Sequence, residues 1–379
     1  MELGKHERDI LKGRKGEGMK KALEILIILA EIHNAKRLIP ITSAQISGVS
    51  YKTIGDAGLE FLKDMAEAEI KVNTPSTLNP AGVDFTSELK FPEDFVEKQR
   101  EIIDTYTKMG ILPSCTCTPY YAGNLPKMGD HIAWAESSAV IYANSVLGAM
   151  TNRESALSAL SAALVGKVPD YGLHMKENRA PTLLVEVEYP IISEADYAAL
   201  GYHIGQNYEG IPYFRIRKKP RAEDLKTLGA ALATGQVSMF HYHNITPEAS
   251  HYPIDKIEKV ELGQKEVSEA YEKLNSTEDV DIIAVGCPHA GITEILDVIK
   301  ADPKREVWVF TSKNLKELFR DRIDNENIKL IADTCMVVSP LEKMGIKSIG
   351  VNSAKAAFYS MNLSNLKVKF DSLENLLRE

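Results

Sequence analysis

The chain has 379 residues, of which 44% are hydrophobic and 26% charged, and its formal net charge is −8. This length allows two or three domains of about 100 to 200 residues each, and the composition excludes a disordered, collagenous or coiled-coil chain. The acidic balance without a basic block argues against a nucleic-acid partner. Because no apolar run could span a membrane and no secretory signal opens the chain, we expect a cytoplasmic protein with no membrane partner.

Short strands, polar loops and helices alternate in the first part of the chain. A helix at about 19–33 leads to a strand at 38–41, a polar loop and a helix at about 52–67. A strand near 70–73 precedes a second polar loop, and a helix at about 92–109 follows. Small polar residues before a helix N-terminus can bind an anion through backbone N–H groups, but an ordinary capped turn explains them equally well.

The middle of the chain is rich in small residues and carries no obvious site. A long Ala- and Ser-rich helical region covers 134–166 and is interrupted by a polar break at 148–153. Strands at 182–189 and 213–217 follow, with helices beginning near 193 and 222. Small side chains allow backbones to approach each other or a ligand closely.

The C-terminal part is the most regular. Strands at 280–285, 307–310, 328–332 and 346–351 alternate with helices, and this pattern predicts a parallel sheet flanked by helices. Ligands bind outside the carboxyl ends of the strands in such sheets. Cys287, Cys335 and Lys355 all follow strand ends, so we expect them at one sheet edge. We place the boundary between an N-terminal α/β region, 1–276, and a C-terminal region, 277–379.

Four cysteines, Cys115, Cys117, Cys287 and Cys335, are too few for a disulfide scaffold. They can be buried apolar residues, but each lies in a polar or Pro-containing loop. A zinc site is a second possibility, although the short paired spacing of zinc ribbons and fingers is missing. The third is an iron–sulfur cluster bound by three thiolates, whose open iron can act as a Lewis acid.

Several segments resemble the aconitase X family. The strings are SCTCTPY at 114–120, GDHIAWAESSAV at 129–140, NSVLGAMTNRE at 144–154, GCPH at 286–289 and NSAKAA at 352–357. Together they are specific and they are spread over most of the chain. The resemblance implies a multi-subdomain, aconitase-like α/β core with parallel sheets flanked by helices and an iron–sulfur site at strand carboxyl ends.

The resemblance also implies an activity and a cofactor. The activity is that of a hydro-lyase that dehydrates (R)-5-phosphomevalonate, a small phosphorylated hydroxy acid, to trans-anhydromevalonate 5-phosphate in an isoprenoid route, the modified mevalonate pathway. The cofactor is a 4Fe–4S cluster with one open iron, and its ligands are Cys117, Cys287 and Cys335. Cys115 is then a packed neighbour.

A second subunit is implied as well, because the chain length resembles that of the archaeal large subunits of the family. We expect a small partner subunit that supplies the swivelling domain and the catalytic serine, and we expect this chain alone to be inactive or nearly so.

Substrate contacts follow from the same resemblance. Arg153 and Lys355 are the candidate cations for carboxylate and phosphate, since a guanidinium offers a bidentate fork and Lys355 lies at the inferred site edge. His289 and His131 are candidate general acids, so the catalytic candidates are Lys355, His289 and His131. The other candidate substrate-binding residues also fit ordinary turn chemistry; they are Ser47, Gly48, Ser50, Asn73, Thr74, Asn79, Ser137, Ser138, Asn152, Asn352 and Ser353.

Two alternative functions stay open at this point. Within the family, the chain can be the large subunit of a cis-3-hydroxy-L-proline dehydratase, whose substrate carries an amine and no phosphate. From another class, it can be a non-catalytic metal-binding or redox-sensing protein whose thiols only bind iron or zinc.

Overall fold

Three parallel sheets and one small antiparallel pair of strands, flanked by helices, make up the computed structural model, which describes residues 1–378. The strands are β1 (Leu38–Pro40), β2 (Ala44–Ile46), β3 (Ser76–Leu78), β4 (Ala133–Trp134), β5 (Lys167–Pro169), β6 (Leu183–Val187), β7 (Pro212–Arg215), β8 (His241–Tyr242), β9 (Glu258–Leu262), β10 (Ile282–Val285), β11 (Val307–Thr311), β12 (Ile328–Ala332), β13 (Ser348–Val351) and β14 (Lys367–Phe370).

Most of these strands are covered by amphipathic or small-residue helices. The helices are α1 (Lys5–Leu11), α2 (Glu17–Ile32), α3 (Tyr51–Glu67), α4 (Glu93–Lys108), α5 (Ser137–Tyr142), α6 (Ala156–Val165), α7 (Glu194–Asn207), α8 (Ala222–Leu232), α9 (Gln264–Leu274), α10 (Ile292–Ala301), α11 (Lys313–Phe319), α12 (Ala354–Ser364) and α13 (Leu373–Arg378). The mixed α/β architecture expected from the sequence is confirmed.

The N-terminal sheet has the strand order β3-β2-β4, and both neighbours pair with β2 in parallel. The strand expected near 70–73 is wrong: that segment forms no strand, and Ser76–Leu78 is the strand instead. The polar side chains of β3 are buried because they find hydrogen-bond partners, as when Ser76 Oγ donates to the Thr74 carbonyl oxygen at 2.7 Å. The prediction looked for an apolar segment and therefore missed the strand at Ser76–Leu78, which is mostly polar.

The Ala- and Ser-rich region forms α5 and α6 with a break between them, as expected. α5 continues as a π-helical turn over Ala143–Leu147, which ends at Gly148 in the left-handed conformation. α6 begins at a capping box in which Ser155 Oγ accepts from the Ser158 N–H at 3.0 Å. The chain between them is non-helical and carries Arg153.

The middle sheet has the order β8-β7-β6-β9 and is entirely parallel. Helices α7 and α8 pack against each other, α8 also packs on α5, and α9 packs on α7. A continuous apolar core thus joins the middle sheet to elements on both sides of it.

The C-terminal sheet has the order β12-β11-β10-β13-β14, again entirely parallel. All residues of β10 and β11 are buried, as expected for strands covered on both faces. The ends of β10, β12 and β13 lead directly into the segments that contain Cys287, Cys335 and Lys355. One sheet edge therefore carries these three side chains. Among residues 1–378, no helix is both long enough and apolar enough to cross a membrane.

Candidate active site

A cleft opens at the carboxyl edge of the C-terminal sheet, where it meets the N-terminal sheet. Cys117, Cys287 and Cys335 line it together with several charged and polar groups. Its lining residues are Asn79, Pro80, Cys117, Ala135, Glu136, Ser137, Arg153, Gly286, Cys287, His289, Cys335, Val337, Val338, Lys355, Tyr359 and Leu363.

The three thiols arrive on separate loops that the two sheets hold in place. The Cys117 loop is fixed to β2, because Gln45 Nε2 donates to the Thr116 carbonyl oxygen at 3.0 Å. Cys287 follows Gly286, whose φ is +96°, and a Cβ there would lie 2.1 Å from the Phe310 carbonyl oxygen.

The third loop crosses between the sheets, since the Cys335 N–H donates to the Ala81 carbonyl oxygen at 3.0 Å. The cysteines thus meet only through the packing of two sheets.

The positive charge of the Lys355 ammonium acts on all three thiols and opposes the effect of burial on each pKa. The His289 N–H donates to Cys117 Sγ at 3.1 Å. Burial raises the pKa of Cys287 to about 12, against the opposing effects of the Lys355 ammonium and the Ser353 hydroxyl. Burial also raises the pKa of Cys335, while the backbone N–H groups of the following turn lower it. Such donors stabilise negative charge on sulfur.

Cys115 has a different environment. It is buried in the apolar core beside the N-terminal sheet and does not line the cleft. Burial, and to a smaller extent the charge of Asp333, raises the pKa of its thiol, and no hydrogen-bond donor opposes this. This is the environment of a packing residue.

The donor set of the cleft suits an iron–sulfur cluster. Three free thiols from three loops face one space, and Asn79 Oδ1 is buried beside them without a hydrogen-bond partner. No group of three or more His, Cys, Asp or Glu side chains within residues 1–378 is arranged around a single metal ion. A cluster does not require that arrangement, because its thiolate ligands bind different irons.

Glu136 and Lys355 form a buried ion pair in the cleft wall, with side chains 14% and 11% exposed. Burial alone would raise the pKa of Glu136, but the Lys355 ammonium, the Asn79 amide and Arg153 lower it to about 2. Burial would lower the pKa of Lys355, and Glu136 outweighs it and raises that pKa. Both groups are therefore charged, and each is neutralised by the other. Asn79 Nδ2 and Ser138 Oγ also donate to Glu136, at 2.7 and 3.1 Å.

Arg153 supplies the unpaired positive charge of the cleft. Its Nη1 donates to the Ala233 carbonyl oxygen at 3.3 Å, and within residues 1–378 no carboxylate forms a salt bridge with it. Because Lys355 is occupied by Glu136, the guanidinium is the cleft cation with spare donors for an anion.

His289 lines the cleft, but the protein engages both of its ring nitrogens. Nε2 lies 2.8 Å from the Thr334 carbonyl oxygen and must donate to it, so Nδ1 accepts from Thr116 Oγ1 at 3.0 Å. Burial lowers the pKa of His289 to about 4. The ring is therefore neutral and locked, an arrangement that favours a structural role for the side chain.

The structure brings eight predicted residues to the cleft lining: Asn79, Cys117, Ser137, Arg153, Cys287, His289, Cys335 and Lys355. Ser138 and Ser353 lie just behind this wall, against Lys355 and Cys287 respectively. The remaining predicted residues do not line the cleft: Ser47, Gly48, Ser50, Asn73, Thr74, Asn152, Asn352 and His131.

Several of these remaining residues have structural partners instead. Ser50 caps α3, and its hydroxyl donates to the Val338 carbonyl oxygen at 2.7 Å. Asn73 and Asn152 donate to main-chain carbonyl oxygens of neighbouring loops and helices. Asn352 donates to Glu194, and His131 Nδ1 lies 3.0 Å from His174 Nδ1.

Sequence reasoning missed Glu136, Tyr359 and Leu363. Glu136 stands between small residues in the string AWAESSA, and an acidic residue in such a buried setting was the available signal. Tyr359 and Leu363 follow Lys355 at intervals of four on α12, which places all three on one helix face.

Comparisons with known proteins show which family the chain is similar to. Family models described as aconitase X first, second and third domain match residues 1–177, 181–272 and 280–379. Position 277 falls between the second and third matches, and the two-region division stays a prediction. The phosphomevalonate dehydratase large subunits of Methanocaldococcus jannaschii and Thermococcus kodakarensis are 46% and 44% identical, each over 100% of both chains.

A more distant relative and a solved structure complete the comparison. The cis-3-hydroxy-L-proline dehydratase of Pseudomonas aeruginosa is 31% identical, and the match covers 98% of this chain and 68% of that protein. A crystal structure of Thermococcus kodakaraensis aconitase X in its holo-form matches with a TM-score of 0.94 and 44% identity over 100% of both chains. The protein therefore belongs to the aconitase X family.

Proposed function

We propose that this protein is the large subunit of a phosphomevalonate dehydratase, a hydro-lyase that removes water from (R)-5-phosphomevalonate to give trans-anhydromevalonate 5-phosphate. The observation that carries the proposal is the cleft in which three cysteines meet beside an unpaired arginine. The names of the relatives that match over the full chain length support the same activity.

The proposed cofactor is a 4Fe–4S cluster held by Cys117, Cys287 and Cys335. When bound with one open iron, it supplies Lewis-acid chemistry for the loss of a hydroxyl group. This choice of ligands is supported by the position of the thiols, because all three line the cleft and Cys115 lies in the apolar core instead. The His289 N–H also donates to Cys117 Sγ at 3.1 Å.

Arg153 is the proposed binding group for an anionic end of the substrate. Its fork of N–H donors matches a carboxylate or a phosphate, and its only neighbour of opposite charge in the wall, Glu136, is already paired with Lys355. The proposed role of Lys355 is then mainly to form the ion pair with Glu136 and so to neutralise its charge in the cleft wall. Asn79 Oδ1, which has no partner, is available to accept a hydrogen bond from a substrate hydroxyl.

A partner subunit is part of the proposal. The cleft residues described here include no unengaged general base, and the relatives named large subunit have, by that name, a smaller partner. Tyr359 and the 58% exposed Leu363 form an apolar rim at the cleft mouth, where a partner domain with a catalytic serine can close.

The test is turnover by the anaerobically purified chain with and without its small subunit. We expect the pair, and not the chain alone, to dehydrate (R)-5-phosphomevalonate. Replacement of Cys117, Cys287 or Cys335 by Ala should remove iron, acid-labile sulfide and activity, whereas Cys115→Ala should keep all three. Turnover of cis-3-hydroxy-L-proline in place of phosphomevalonate would contradict the substrate. Stoichiometric zinc without sulfide would contradict the enzyme and favour a metal-binding protein.

A further inference from the structure

Lys226 is a buried lysine outside the cleft lining. It lies on α8, the helix between β7 and β8 of the middle sheet, and it is only 2% exposed. Its ammonium donates to the His289 carbonyl oxygen at 3.0 Å, to the Pro288 carbonyl oxygen at 3.5 Å and to Glu294 Oε2 at 2.5 Å. All three acceptors belong to the segment that follows β10 and opens α10.

This lysine and the Cys117 sulfur contact the same peptide unit. The carbonyl of Pro288 and the N–H of His289 belong to one planar peptide group, so orienting one orients the other. Lys226 lies on the carbonyl side, and Cys117 Sγ receives the N–H at 3.1 Å. The second acceptor, the His289 carbonyl, fixes the next peptide unit as well.

The burial of Lys226 requires an explanation of this kind. Burying a charged ammonium between packed helices costs free energy unless its N–H groups have hydrogen-bond acceptors. Here the N–H groups of Lys226 donate to two main-chain carbonyl oxygens of the Cys287 loop and to the carboxylate of Glu294.

We infer that Lys226 is a positioning residue for the cluster: from helix α8 it holds the Pro288–His289 backbone so that the His289 N–H donates to Cys117 Sγ. The inference rests on the proposed cluster ligands. The contact joins three parts of the fold, because Lys226 lies on helix α8 of the middle part, Pro288 and His289 lie in the loop after β10, and Cys117 lies in a loop beside the N-terminal sheet.

The first experiment measures amide hydrogen exchange in the metal-free chain, so it does not depend on the cluster. In Lys226→Met, the segment 286–290 should exchange at least about tenfold faster than in the wild type, as expected for the loss of charged hydrogen bonds. Lys167→Met is the matched control, since Lys167 of β5 also pairs with a buried glutamate, Glu7 of α1. It should leave the exchange of 286–290 unchanged.

The second experiment measures the reduction potential of the anaerobically reconstituted cluster. A general loss of protein stability predicts no particular direction of change in this potential, whereas the positioning role does. Lys226→Met removes a positive charge and loosens an N–H···S bond, so the potential should fall. Glu294→Gln keeps the lysine and removes a negative charge, so it should rise. Lys167→Met should match the wild type.

The outcomes separate this inference from the proposed function. A wild-type chain that retains no iron or sulfide overturns the cluster and the proposed function with it, whatever the exchange data. A wild-type chain with a cluster, together with a Lys226→Met variant of unchanged exchange at 286–290 and unchanged potential, overturns the positioning role alone.

Discussion

The carboxylate of Glu136 is the centre of the hydrogen bonds and ion pair in the cleft wall. Glu136 accepts hydrogen bonds from Lys355, Asn79 and Ser138, and thereby sets the direction of the Asn79 amide. Because Nδ2 is committed to Glu136, Oδ1 stays as a buried acceptor beside the cysteines. One carboxylate thus fixes a cation and a neutral acceptor in the cleft at the same time.

Glu136→Gln tests this arrangement by stability. The variant leaves Lys355 as a buried cation without its counter-charge, which should cost about 3 to 5 kcal/mol of unfolding free energy. Glu101→Gln is the matched control, because Glu101 pairs with Lys63 at the surface, where side chains are 41% and 47% exposed; it should cost less than about 1 kcal/mol. Urea unfolding of the metal-free chains measures both, and equal losses would contradict the prediction.

The same variant has a defined pH dependence. The pKa of Glu136 falls from an ordinary value of 4.5 to about 2 in the folded protein. A lowered carboxylate pKa stabilises the fold above the unfolded value, and this contribution is lost as the pH falls toward the folded value. The stability difference between wild type and Glu136→Gln should therefore be constant above about pH 5 and shrink by about 3 kcal/mol between pH 4.5 and 2.

At the scale of elements, the turn after β10 brings Cys287 to the sheet edge. Gly286 and Gly345 both have φ near +90°, but a Cβ on Gly286 would lie 2.1 Å from a carbonyl oxygen of β11, whereas a Cβ on Gly345 would meet nothing within 4 Å. The turn at Gly286 therefore has no room for a side chain, whereas the turn at Gly345 does.

Alanine at these two glycines separates backbone strain from steric exclusion. Gly345→Ala should cost about 1 to 2 kcal/mol, the cost of a left-handed alanine. Gly286→Ala should cost more, because β10 and β11 must also move apart, and it should lower iron and sulfide content after anaerobic purification. Urea unfolding and metal analysis check this. Normal cluster content in Gly286→Ala would contradict the importance of this turn.

At the scale of the whole molecule, Arg179 joins the N-terminal and middle parts of the chain. It is fully buried, forms a salt bridge with Glu248 and donates to the carbonyl oxygens of Leu173, Asn144 and Ala149. Asn144 in turn holds Thr151, two residues before Arg153. The guanidinium thus supports the polar break that carries the cleft arginine.

Removing Arg179 should weaken the whole protein. Arg179→Met leaves Glu248, 12% exposed, without its partner and should cost about 3 to 5 kcal/mol. Arg215→Met is the control. It breaks a salt bridge with Glu186 in which the Arg215 side chain is 46% exposed, so it should cost at most about 1 kcal/mol of unfolding free energy. Thermal or urea unfolding measures the two losses. A loss below about 1 kcal/mol for Arg179→Met would contradict the role of this residue.

Local patterns predicted the regular C-terminal part well. Strands β10 to β13 were expected within a few residues, because short apolar runs bounded by polar loops indicate buried parallel strands. The same reasoning failed for β3, whose polar residues are buried because they have hydrogen-bond partners: Ser76 Oγ donates to the nearby Thr74 carbonyl oxygen, and Thr77 Oγ1 accepts from Asn124 Nδ2 at 2.9 Å. Polar strands of this kind carry no apolar signal.

The sequence by itself determined the family, the α/β class and the sheet edge that holds Cys287, Cys335 and Lys355, since strand ends and motifs are local properties. Only the tertiary structure decided that Cys117 faces the cleft while Cys115 is packed in a core. It also decided that Lys355 is paired with Glu136 and that Lys226 reaches the Cys287 loop. The physical reason is that burial, ion pairing and hydrogen bonding depend on segments distant in sequence, which the packing of three sheets brings together.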